Sequence, residues 1–185
     1  MALLSRAALA AVVVAAATCL PHAAVALRPG DPMPALALES WSGAAATVAA
    51  PASGVLVVEI WASWCRPCRE ALPALADLLA ATGDSRLQVA AVSIDGDRAA
   101  ADRFAVEVLG ERQLPLYRDP AARVPATLGA PGMPVTVVAV DGVVRSVAVG
   151  FSPQAAADLR AVVTAALGRA ATTPGITADS LRAPH

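Results

Sequence analysis

The chain has 185 residues, 57% of them hydrophobic and 16% charged, with a formal net charge of −1, which suits one domain with a sizeable core. Much of the apolar fraction is alanine, so the core is less greasy than the figure implies. The charge balance leaves no basic footprint for nucleic acid, and 3% aromatic residues leave little to stack single strands on.

Arg6 is the only charge before Arg28, and Ala7–Leu20 is an uncharged run rich in alanine and valine. Ala24-Val25-Ala26 then offers the small–x–small spacing that a signal peptidase accepts. The run is shorter than the roughly 20 apolar residues that span a bilayer as a helix. Residues 1–26 therefore read as a cleaved export signal, placing the protein in the periplasm or another extracytoplasmic space. An uncleaved anchor would tether the same domain on the same side of the membrane. Lipidation at Cys19 is a third option, for which Ala16-Ala17-Thr18 is a poor lead-in. A cut after Ala26 leaves the mature chain two cysteines, Cys65 and Cys68, in a compartment where disulfides form and exchange.

Residues 27–170 are expected to form one domain. The prolines at 29, 32 and 34, with Gly30, predict an extended entry segment. Leu36–Trp41 and Ala46–Val48 can pair as a short hairpin across Ser42-Gly43. Val55–Trp61 is a nearly continuous apolar, β-branched run, as in a strand buried on both faces. A helix is predicted over Pro67–Ala81, with Leu72, Leu75 and Leu79 on one face, a kink at Pro73 and a stop at Gly83. Leu87–Ile94 reads as a second buried strand ending at an Asp95-Gly96 turn. Asp97–Leu109 carries Ala101, Phe104 and Val108 at helical spacing. A brief strand at Leu114–Tyr117 and a short helical segment at Pro120–Leu128 follow. Pro134–Val140 and Val143–Val149 form a hairpin across Asp141-Gly142. Ser152-Pro153 starts a last helix running to about Leu167, and the residues from Ala171 to His185, without periodicity, read as a mobile tail. The order is that of an α/β domain with a central mixed sheet flanked by helices and an N-terminal β-extension.

Cys65-Arg66-Pro67-Cys68 falls where the first long strand hands over to a helix. A free thiol is mostly protonated at neutral pH, and the thiolate is the reactive form. Orphan N–H groups at a helix N-terminus stabilise the thiolate, and Arg66 and Arg69 add positive charge. Cys65 is therefore the expected exposed nucleophile, and Cys68, one turn further in, the shielded resolving thiol. Pro67 suits the helix start because it lacks the N–H that would be orphaned there. A zinc site wants four ligands, and the mature chain offers only His185 besides the cysteines. A structural bridge across two residues would gain little chain entropy. Redox chemistry is the reading that uses the placement.

Glu59-Ile60-Trp61-Ala62-Ser63-Trp64-Cys65-Arg66-Pro67-Cys68 resembles the active-site segment of the thioredoxin superfamily, nearest its TlpA/ResA/DsbE-like branch of exported disulfide-handling proteins. Gly132-Met133-Pro134-Val135-Thr136 is similar to the second landmark of that family. The resemblance runs from about Pro29 to Leu167. It implies a cis bond before Pro134, which would sit opposite the cysteines and present the Met133-Pro134 backbone to an extended substrate chain. Glu59 stands where thioredoxins carry a buried acid, whose raised pKa suits it to exchange a proton with Cys68. Trp64, partly exposed, and the more buried Trp61 would flank the site, and Trp64, Arg66 and Pro67 would face substrate. Members similar to ResA place a glutamate three residues after the second cysteine; here that residue is Ala71, so Glu59 is the proton partner.

The implied activity is a reductase passing electrons to cysteine pairs in partner proteins, often in cytochrome c maturation, recharged by a membrane electron donor. Neither a cofactor nor a metal is expected. A redoxin-type thiol peroxidase would want a threonine or serine three residues before its cysteine and a proline upstream, where this chain has Ala62 and Val58. A Sco-like copper module would want three residues between its cysteines and a downstream histidine.

Overall fold

The computed structural model describes residues 26–171. All but Ala26 of the expected signal, and all but Ala171 of the expected tail, lie outside the described residues. The chain runs β1 (Leu36–Ser40), β2 (Ala45–Val48), β3 (Val55–Trp61), α1 (Cys68–Thr82), β4 (Leu87–Ser93) and α2 (Arg98–Leu109). It continues with β5 (Leu116–Arg118), α3 (Arg123–Leu128), β6 (Val135–Val140), β7 (Val143–Val149) and α4 (Pro153–Ala171).

One mixed sheet holds the seven strands in the order β2-β1-β5-β4-β3-β6-β7. β3 lies between β4, parallel to it, and β6, antiparallel to it, and all of its residues are buried. Strand alternation sorts its side chains onto two faces. Leu56, Val58 and Ile60 join Val135, Val137 and Ala139 of β6 under α3 and the N-terminal hairpin. Val55 and Val57 face α1 and α4 through Leu75, Leu78, Val163 and Leu167. Glu59 and Trp61 share that second face, so an acid stands in a strand otherwise buried as hydrocarbon.

The turns follow local chemistry. Asp141 (φ 51°) and Gly142 (φ 81°) are both left-handed, as a type I′ hairpin turn requires. Asp97 caps α2, its carboxylate accepting from the Ala99 N–H at 2.9 Å, and Ser152 Oγ accepts from Ala155 N–H at 3.1 Å at the start of α4. Gly54 enters β3 at φ 130°, and a Cβ there would stand 2.6 Å from the Arg86 carbonyl oxygen. That oxygen accepts the Val55 N–H that starts β3. Gly54→Ala is therefore expected to lower stability by about 2 kcal/mol or more, read as a lower urea midpoint at unchanged m.

The structure moves several predicted boundaries. The brief strand predicted at Leu114–Tyr117 shifts to Leu116–Arg118 as β5, pulled into register by pairing with β1 as well as β4. The helix expected over Pro120–Leu128 shrinks to Arg123–Leu128, because Asp119 spends its carboxylate capping the Val124 N–H at 2.7 Å. α4 continues past Leu167 to Ala171. α1 runs unbroken through Pro73.

Candidate active site

The cysteine loop leaves the C-terminal end of β3 and is stitched to the end of β4. The Ile94 N–H donates to the Trp61 carbonyl at 3.0 Å. Asp95, buried just beyond β4, accepts from the Ser63 N–H at 2.9 Å, the Ser63 hydroxyl at 2.6 Å and the Ser93 hydroxyl at 2.9 Å. A carboxylate so fully hydrogen-bonded fixes the turn from Trp61 into the cysteines. The motif reading missed this node, treating Asp95-Gly96 only as a turn signal. An aspartate closing a buried strand, with serines at 63 and 93, was the clue in the sequence.

Cys65 and Cys68 form a disulfide, with Cα atoms 5.4 Å apart, and Cys68 opens α1. Pro67, the predicted first residue of the helix, sits at φ −66° in the cap position instead, so α1 starts one residue later than predicted. Cys68 is fully buried, as expected. Cys65 is not the exposed residue the sequence predicts, since only 5% of it is accessible. In the oxidised state it belongs to the cluster of Trp61, Leu72, Ala76 and Phe104, with Met133 packed against that cluster. Trp61 is fully buried between Trp41 and Phe104, at 6.1 and 5.5 Å between ring centroids, whereas Trp64 is 68% exposed. Arg66 and Pro67 are exposed beside it.

Arg69 departs from the sequence reading. Its guanidinium is ion-paired with Glu107 of α2 and lies 5.4 Å from the centre of the Phe104 ring. Its charge is answered there and ties α1 to α2, leaving Arg66 as the cation of the motif.

Glu59 is buried on the face covered by α1 and α4. Its Oε2 accepts from the Thr136 hydroxyl at 2.6 Å, across the β3–β6 register that sets the two residues side by side. Burial pushes its carboxyl up to about 7, and the Thr136 hydrogen bond opposes this in part. Ala71, one turn after Cys68 on α1, borders the same cavity as Glu59. The acid thus lies under the first turns of the helix that Cys68 begins.

The bond between Met133 and Pro134 is cis. Pro134 is buried, and its carbonyl accepts from the Gly150 N–H at 2.8 Å. The N–H and C=O of Met133 enter no backbone hydrogen bond among the described residues. The structure thus gathers Cys65, Cys68, Trp61 and Met133 in or against one cluster, with Glu59 on the same face of the sheet.

Comparison with known proteins places this arrangement. The Redoxin family model matches residues 28–164. A solved structure of a thiol:disulfide interchange protein DsbE from Chlorobium tepidum superposes with TM-score 0.70 at 30% identity, covering 77% of this chain and all of that one. A thioredoxin of Rhodospirillum rubrum is 37% identical over 68 residues, 37% of this chain and 62% of that protein. The thiol-disulfide oxidoreductase ResA of Oceanobacillus iheyensis is 35% identical over 49 residues, 26% of each chain. The chain thus spans less than two thirds of the length of these two curated relatives. With most of its length matched and the DsbE structure covered end to end, the chain belongs to the Redoxin family, among the thiol–disulfide oxidoreductases of the thioredoxin superfamily.

Proposed function

We propose that the chain is an exported protein-disulfide reductase that exchanges disulfides with cysteine-containing partner proteins. The observation that carries this reading is the Cys65–Cys68 pair at the start of α1, with the cis Met133–Pro134 loop packed against its cluster. In the reduced protein the Cys65 thiolate attacks one sulfur of a partner disulfide, forming a mixed disulfide and releasing the partner's other sulfur as a thiolate. Cys68 gives up its proton, Glu59 being the buried base within the fold, and attacks the Cys65 sulfur. The partner then leaves with both thiols reduced, and this protein keeps the disulfide. Two electrons pass to the partner, and a membrane dithiol donor restores them.

The unpaired Met133 backbone offers one donor and one acceptor to an extended substrate chain, and exposed Trp64, Arg66 and Pro67 border its approach. Ala62 and Val58, where a redoxin-type peroxidase would carry its hydroxyl and its proline, are both fully buried. Export rests on residues 1–26, and a neighbour of the same fold from Mycobacterium tuberculosis is described as secreted. Apocytochrome c thiol pairs are the client class we assign, from the resemblance to the ResA and DsbE branch.

Cys68→Ser, expressed with its export segment, is expected to accumulate mixed disulfides on Cys65 that vanish on reduction. A variant that traps no partner overturns the exchange reading. The measured reduction potential decides direction: a value near about −270 mV supports the reductase, and one near about −120 mV reverses the electron flow.

A further inference from the structure

Two of the hydrogen bonds that converge on the Asp95 carboxylate come from one residue of the cysteine loop. The Ser63 N–H donates to Oδ2 at 2.9 Å and the Ser63 hydroxyl to Oδ1 at 2.6 Å, so both oxygens of one carboxylate grip one residue. Asp95 is anchored in turn to the end of β4. Its Oδ2 accepts from the Ser93 hydroxyl at 2.9 Å, and its own N–H donates back to that hydroxyl oxygen at 3.1 Å. Asp95 and Ser93 are both buried, so water competes little for these bonds. β4 itself lies inside the sheet, between β3 and β5. The carboxylate therefore carries the rigidity of the sheet into the loop at Ser63. The Cys65 N–H donates to the Ala62 carbonyl at 3.0 Å, closing a turn whose two central residues are Ser63 and Trp64. Trp64 is exposed, as are Arg66 and Pro67 on the other side of Cys65. Among the described residues, Ser63 is thus the last hydrogen-bonded anchor to the sheet before Cys65.

We propose that Asp95 is a positioning residue for disulfide exchange, holding the Ala62–Cys65 turn so that the Cys65 thiol stays poised against Cys68 after reduction, and thereby making the dithiol more reducing. In exchange, the thiols of Cys65 and Cys68 become a disulfide while the partner's disulfide becomes two thiols. The balance of that reaction depends on how much the reduced loop must be ordered to bring the two sulfurs together. A restraint already present in the reduced state meets part of that entropy cost in advance. A looser turn gives the reduced state freedom that the bond must then remove. The disulfide is weakened and the reduction potential rises. This inference rests on Cys65 and Cys68 forming a reversible disulfide, and not on the direction in which electrons flow.

The negative charge of Asp95 acts in the same direction, because it disfavours the Cys65 thiolate and so the reduced state. Variants at Ser63 separate the clamp from the field. Ser63→Ala removes the hydroxyl and leaves the carboxylate charged, and Ser63→Thr restores the hydroxyl. Ser93→Ala takes a hydrogen bond of the same kind from the β4 side and leaves both loop contacts in place.

The test equilibrates each protein with graded mixtures of reduced and oxidised dithiothreitol, reads the oxidised fraction by thiol alkylation, and measures urea unfolding of the oxidised forms alongside. Asp95→Asn is expected to weaken the disulfide about tenfold, a rise of about 30 mV in potential. Ser63→Ala should weaken it about threefold, and Ser63→Thr should return it to the native value. Ser93→Ala should lower the urea midpoint while leaving the potential in place. A purely structural role would lower stability in every loss variant and move no potential. A native potential in Ser63→Ala, a shift that Ser63→Thr does not reverse, or a shift in Ser93→Ala as large as that in Ser63→Ala overturns the proposal. Should Asp95→Asn fail to fold, the three serine variants decide. The native potential tests the direction of electron flow and the differences among variants test the clamp, so the two readings fail separately.

Discussion

Cys65→Ser is expected to slow reduction of a disulfide substrate by at least about a thousandfold, because a hydroxyl in that position can neither ionise near neutral pH nor form a disulfide. The measurement is the second-order rate for the pre-reduced protein with a small aromatic disulfide, followed by released thiolate. Cys68→Ser retains the first step and stops at the mixed disulfide, so it should still give one burst of released thiol. The two variants together assign the roles, because the sequence of events is asymmetric although the disulfide is not. If Cys65→Ser keeps more than a tenth of the rate and Cys68→Ser loses it, the nucleophile has been misassigned. The fully buried position of Cys68, against the 5% accessibility of Cys65, is the structural reason to expect the first outcome.

Glu59→Gln should change stability and kinetics in opposite directions. In the unfolded chain the carboxyl has its ordinary pKa of 4.5, whereas in the fold burial raises it to about 7. Below pH 4.5 both states are protonated and the residue costs little. Between 4.5 and 7 the folded state holds a proton that the unfolded state has lost, so stability falls as pH rises. Above 7 the penalty is complete, on the order of 3 kcal/mol. Glutamine keeps an oxygen for Thr136 and never ionises. Urea unfolding of the oxidised proteins should therefore find the variant more stable at pH 8 by up to about 3 kcal/mol, with the gap closing toward pH 5. In the reduced state the same change removes the proposed base for Cys68, and exchange should slow about tenfold to a hundredfold while losing its inflection near pH 7. A constant stability difference across the pH range would mean that Glu59 does not titrate in this window.

The sequence exposed the reaction more readily than the architecture holding it. The acid at 59 and the Met133-Pro134 step are legible through the resemblance to the thioredoxin superfamily, whereas Cys65 to Cys68 is legible because it is a short-range pattern whose residue types the chemistry demands. The β6–β7 hairpin was legible for the same reason, since Asp141-Gly142 supplies two left-handed residues in succession. What was not legible depends on partners distant in the chain. An aspartate closing a buried strand hints at a polar node, but that Ser63, far upstream, folds onto Asp95 shows only in three dimensions. Arg69 reads as a free cation until α2 brings Glu107 against it. Cys65 reads as exposed because it is the expected nucleophile at a helix N-terminus, yet Trp61, Leu72 and Phe104 close around it. The Thr136 hydroxyl was inside a recognised segment, but its contact with Glu59 becomes visible only once β3 and β6 are in register.

The chain is already fastened to its domain at Leu27, whose N–H donates to the Leu128 carbonyl at 3.1 Å. Only residues 21–26 separate that point from the end of the apolar run at Leu20. Fully stretched, the path from Leu20 to Leu27 covers at most about 25 Å, less than the thickness of a bilayer's hydrocarbon core. If the apolar run acted as an uncleaved membrane anchor, the domain would have almost no leash: it could tilt but not roam, and only clients delivered to the lipid surface would meet Cys65. A cut after Ala26 would give the opposite regime, in which the domain would diffuse freely and meet the proposed clients and electron donor in separate encounters. One proteolytic event would thus convert a stationary relay into a shuttle without altering a residue of the site.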